Sequence, residues 1–139
     1  MDEPLTEELL RELLSAPSPQ AFTERHLCEE RSLHGYLQEL LVEKGLKQAD
    51  VVREANLNPT FGWQVFVGQR GASRNKILQI ALAMRLDLRE TNRLLKVAGH
   101  NELYCKVRRD AIVTFCVDRG YTLQETNETL YEFGEETIC

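Results

Sequence analysis

Between residues 55 and 86 every charged side chain is a base: Arg70, Arg74, Lys76 and Arg85. Guanidinium and ammonium groups held close together can bind phosphate, in a way that weakens as salt rises. The stretch stands out because the chain of 139 residues is acidic overall, with a formal net charge of −5. A basic island on an acidic protein can face a polyanion while the remaining surface suppresses indiscriminate contact. Chance clustering of four bases is the competing explanation.

Other chemistries find less support. Cys28, Cys105, Cys116 and Cys139 form no C-x-x-C pair, and His26, His34 and His100 do not fall at ligand spacing with them. This excludes a zinc or disulfide scaffold and leaves reduced, buried or half-buried thiols. No G-x-S-x-G, H-E-x-x-H, P-loop or G-x-G-x-x-G occurs, so neither a hydrolase triad nor a nucleotide cradle is indicated. Cys105 or Cys116 with His100 is the one conceivable nucleophile pair. The two thiols, eleven residues apart, fall on one face of one expected helix, where core thiols belong. No enzymatic activity and no cofactor are expected. No apolar run reaches membrane-spanning length, and the acidic Met1-Asp2-Glu3-Pro4 start is unlike a signal peptide, so the expected location is the cytoplasm, with no membrane partner.

The apolar spacing reads as all-α. Leu5–Leu14 is an amphipathic helix, and Pro17 and Pro19 follow as a tether that no helix can continue through. This helix either docks on its own domain or serves a protein partner. A helical pattern runs from Gln20 to Lys44, with a restart at Ser32, and Gly45 ends it. Short helices follow over Lys47–Glu54 and Thr60–Val67, separated by the turn Asn56-Leu57-Asn58-Pro59. A fourth helix, capped by Ser73, runs to Leu86. The segment Leu88–Gly99 then matches Leu123–Gly134 at an offset of 35, with six of twelve positions identical. The same offset pairs Arg74 with Arg109, Asn75 with Asp110 and Ile77 with Ile112. Asp87 with Glu90, and Thr122 with Glu125, have capping-box spacing. The expected organisation is residues 1–19 as helix and tether, 20–99 as the main domain, and 100–139 as a helical hairpin extension.

Residues 46–95 resemble the lambda-repressor-like, or XRE-type, helix-turn-helix family. The resemblance rests on Leu46-Lys-Gln-Ala-Asp-Val-Val-Arg-Glu-Ala-Asn-Leu-Asn58, then Gly68-Gln-Arg70, Ser73, Ile77-Leu-Gln-Ile-Ala-Leu-Ala83, and Leu88 with Asn92-Arg-Leu-Leu95. It implies a glutamine opening the second helix, here Gln48, and a Gly-x-Arg loop before a Ser-capped helix. Four positions depart from the family pattern. Val52 stands for a small alanine, Asn56 for the turn glycine, Gly62 for an inward residue of the third helix, and Phe66 for an acid before the loop.

A short helix after a tight turn can project its first residues into a major groove about 12 Å wide. The exposed candidates are Asn58, Thr60, Phe61 and Gln64, of which Gln64 can bond adenine and Phe61 can touch a thymine methyl. Gln48 and the Ser73-capped helix start are candidates to hold phosphate, with Arg70, Arg74 and Lys76 supplying attraction. Against this, Phe61, Trp63, Val65 and Phe66 can simply pack the core, and Arg74 can pair with an acid. The expected function is therefore a DNA-binding transcriptional regulator whose partner is double-stranded DNA. The alternative is a protein-interaction adaptor on the same fold that binds no DNA. A homodimer is expected, since two-fold symmetry suits palindromic sites and doubles the sparse bases. No lysine or arginine follows Arg119, so the C-terminal hairpin should point away from DNA and carry a protein contact. Its apolar side, Leu123, Leu130 and Phe133, needs cover from the Ala111–Val117 helix or from a second subunit.

Overall fold

A computed structural model describes residues 6–15 and 32–139. The chain divides into two units, residues 1–30 and 31–139. In the first, α1 (Thr6–Ser15) follows the leucine spacing, and Leu10 and Leu14 are exposed. The Pro17–Pro19 tether, the helical pattern expected over 20–31, His26 and Cys28 lie outside the described residues. The second unit holds α2 (Leu33–Lys44), α3 (Gln48–Glu54), α4 (Pro59–Phe66), α5 (Arg74–Ala83), α6 (Leu88–Val97), α7 (Arg108–Asp118) and α8 (Leu123–Glu132). All regular structure among the described residues is helical, and no helix among them is long and apolar enough to cross a membrane.

Local chemistry sets the helix ends. The Ser32 hydroxyl accepts the Gly35 N–H and starts α2, and left-handed Gly45 ends it. The expected capping boxes form at both Asp87/Glu90 and Thr122/Glu125. The helix expected from Ser73 to Leu86 stops earlier, at Ala83. Arg85 turns left-handed at φ 57°, and the Leu86 N–H donates back to the Ala81 carbonyl. Arginine seldom takes that conformation, so its sequence carries no stop signal. Position 85 corresponds at the offset of 35 to Gly120, which is also left-handed, at φ 71°. One core runs through the unit, from Leu37, Leu40, Phe66 and Ile80 to Val113, Leu123 and Leu130.

The duplication extends to individual hydrogen bonds. Arg74 Nε donates to the Asn101 carbonyl, and Arg109 Nε to that of Glu136, 35 residues on. Asn92 Oδ1 accepts the Leu103 N–H, and Asn127 Oδ1 that of Ile138. Each hairpin thus folds a tail segment back across itself. Between hairpins the contacts are exchanged: Arg74 reaches Asp110 and Arg109 reaches Asn75, while α5 packs on α8 and α6 on α7. Reciprocity of this kind is what a two-fold relation between two copies produces.

Candidate nucleic-acid interface

The corner between α3 and α4 is built from Asn56, Asn58 and Pro59 and from the approach of Gly62 to Val52. Asn56 takes φ 57° and reverses the chain, a conformation asparagine adopts more readily than most residues. Asn58 then caps α4, its Oδ1 accepting the N–H groups of Thr60 and Phe61 at 2.9 and 3.2 Å, and Pro59 occupies the first turn. A Cβ added at Gly62 would lie 2.5 Å from Cγ1 of Val52. The large residue on α3 and the missing side chain on α4 are therefore two halves of one close contact. Gly62, Val65 and Phe66 face inward and are buried. Thr60 and Trp63 are left exposed, Trp63 by 50%, and Gln64 is half-buried.

Gln48 opens α3, and its Oε1 accepts a hydrogen bond from Gln38 Nε2 at 3.2 Å. The same Gln38 nitrogen donates to the Phe66 carbonyl at 2.8 Å, so α2 joins the start of α3 to the end of α4. With its oxygen engaged, Gln48 has its amide N–H groups available to an outside acceptor. Gln48 and Trp63 line a shared groove of about 530 Å³, together with Val52, Arg53, Leu57 and Pro59. Beyond α4, the Arg70 guanidinium lies 5.5 Å from the centre of the Phe61 ring. The loop carrying Arg70 is pinned at both ends. Gly68 sits so close to the His34 ring that a Cβ would lie 2.6 Å from Nδ1, and His100 Nε2 is 2.7 Å from the Ala72 carbonyl. Ser73 caps α5 by accepting the Lys76 N–H, and the Lys76 side chain is half-buried.

Arg74 is not available to phosphate, contrary to the expectation. Its Nη1 and Nη2 donate to Asp110 Oδ1 and Oδ2 at 2.9 and 2.8 Å, and its Nε and Nη2 also donate to the carbonyls of Asn101 and Glu102. Asp110 is buried, its side chain 8% exposed. Burial, the largest single influence, pushes the Asp110 carboxyl upward. The Arg74 hydrogen bond, the Tyr104 N–H and the charges of Arg74 and Arg109 together outweigh it and leave the pKa below the usual 3.8. Arg85 is likewise engaged, donating to the Gly120 carbonyl. Arg70 and Lys76 are the island's bases with no hydrogen-bond or ion-pair partner among the described residues, and exposed Lys47 at the cap of α3 adds a third cation.

Trp63 is exposed although an aromatic at helical spacing reads as core. Sequence reasoning missed Gln38 because nothing local marks a bond spanning 28 residues. The partner of Arg74 did have a signal, since the repeat aligns Asn75 with Asp110. The cysteines also differ from expectation. Among the described residues, Cys105 precedes α7 and is exposed, as is Cys139, and Cys116 is buried. Burial pushes the Cys116 thiol pKa up, against hydrogen bonds from Thr129 and Thr126 that pull it down. No family model, curated protein or solved structure matches the chain.

Proposed function

We propose that the chain is a helix-turn-helix DNA-binding protein of regulatory type, with α3 and α4 as the two helices and α4 entering the major groove. The observation that carries this reading is the locked corner itself: Gly62 against Val52 sets α4 with Thr60 and Trp63 exposed and Gln64 half-buried. In this role Gln64 and Thr60 meet base edges, and Trp63 meets the apolar rim of a thymine. Gln48, oriented by Gln38, and Arg70 and Lys76 hold phosphate. Asn58 and Ser73 act through the helices they cap, and Phe61 supports Arg70. With so few free bases, the salt dependence is shallow and one copy binds weakly.

Mobility shift against a pool of random-sequence duplexes at low salt tests the reading. Arg70→Glu should weaken retention about tenfold and flatten the salt slope. Equal retention by wild type and variant would remove Arg70 from the interface. Half-exposed Trp63 beside an apolar groove favours a second reading, the protein-interaction adaptor. In that case Trp63→Ala abolishes protein capture and the wild type retains no duplex.

A further inference from the structure

Of the apolar side of α8, Leu123 and Leu130 are buried and α8 packs on α7, while Phe133 at its end is 53% exposed. A further bare apolar surface lies on α7. Val107, at its cap, is 48% exposed and Phe115 is 45% exposed, with half-buried Ala111 and Ile112 between them. Residues at this spacing form one stripe along a helix. Arg119 lies 4.6 Å over the Phe115 ring, and Tyr121 meets that ring edge-on at 6.1 Å, which widens the patch. The duplication provides the comparison. Phe115 and Ile112 correspond at the offset of 35 to Ile80 and Ile77 of α5, both fully buried. Helix α5 is enclosed by α3, α6 and α8. Ile112 still packs against the core, but Phe115 lacks the cover that Ile80 has.

The stripe is also self-complementary. Arg108 stands at its N-terminal end, 62% exposed and touching Glu135. Exposed Asp118 stands at its C-terminal end, with no ion-pair partner among the described residues. Bulky Phe115 and small Ala111 lie one turn apart between these charges.

We infer that a second copy of this chain covers the stripe, with the two α7 helices antiparallel about a two-fold axis. Antiparallel pairing sets Phe115 on the partner's Ala111 and Arg108 beside the partner's Asp118, and symmetry makes each contact twice. Matching of large to small and of base to acid within one helix favours this chain over an unrelated partner. The interface does not depend on the DNA reading.

Sedimentation equilibrium of the full chain without DNA tests it. The wild type should be a dimer in the micromolar range, and Phe115→Glu a monomer of unchanged helicity. Arg108→Asp and Asp118→Arg each set like charges together at both contacts, and each should weaken association about tenfold. Mixing these two variants restores opposite charges at both contacts and should recover the dimer. A wild type that has the mass of one chain up to about 100 µM overturns the inference. So does a mixture that associates no better than its components.

Discussion

Replacing Arg74 by leucine should destabilise the protein far more than replacing Arg109, although the two occupy equivalent positions in the repeat. Arg74 neutralises a carboxylate whose side chain is only 8% exposed, through two bonds of 2.8 and 2.9 Å. Without it, Asp110 keeps the Tyr104 N–H at 3.0 Å and the weaker influence of the Arg109 charge but loses its bonded counter-ion. Leaving one member of a buried pair uncompensated costs about 3 kcal/mol, near the lower end for such pairs because Arg74 itself is partly exposed. Arg109 donates instead to neutral Asn75 and to two carbonyls, so its loss should cost about 1 kcal/mol. Urea unfolding followed by circular dichroism measures both. For a unit of this size the difference corresponds to roughly 8 °C in Tm. The double variant Arg74→Leu with Asp110→Leu should recover at least half of the loss, because it leaves no stranded charge. Equal destabilisation by the two single variants, or no recovery in the double, would refute the reasoning.

The α3–α4 contact is tested by Gly62→Ala, whose new methyl meets Val52 at 2.5 Å and should cost about 2 kcal/mol; Val52→Ala in the same chain should restore most of it, read by the same unfolding assay. Because Asp110 titrates below its ordinary value in the folded protein, its contribution is complete above that ordinary value, near pH 3.8, and is lost as pH falls through the lower folded value. Wild-type stability should therefore fall more steeply than that of Asp110→Asn below about pH 4, measured by urea midpoints from pH 6 to pH 2. Gln64→Ala should relax base preference at one position of a selected duplex and cost about 1–3 kcal/mol there; a uniform loss over all sequences would place Gln64 away from base edges.

Much of the fold was legible because its signals are local. Ser32, Gly45, Ser73 and both capping boxes act within a few residues of where they stand. The stop at Arg85 was hidden, since arginine seldom turns left-handed and only the other copy of the repeat has glycine there. At the candidate site, Gly62 and Val52 looked like two separate anomalies. Only their meeting across α3 and α4 shows that each compensates the other. Arg74 was misplaced for a related reason. A base beside a loop looks available until the acid that holds it arrives from 36 residues away.

The central claim, that α4 is the helix that meets DNA, is tested most directly by the protein's own fluorophore. Trp63 is the sole tryptophan and stands half-exposed on the outer face of α4. Duplexes enriched from a random pool, titrated into the full chain at low salt, should shift and quench its emission saturably. The change should reverse as salt is raised. An emission spectrum that stays fixed while the duplex is demonstrably bound would place the interface elsewhere. Absence of any bound duplex at any salt concentration would contradict the DNA reading outright.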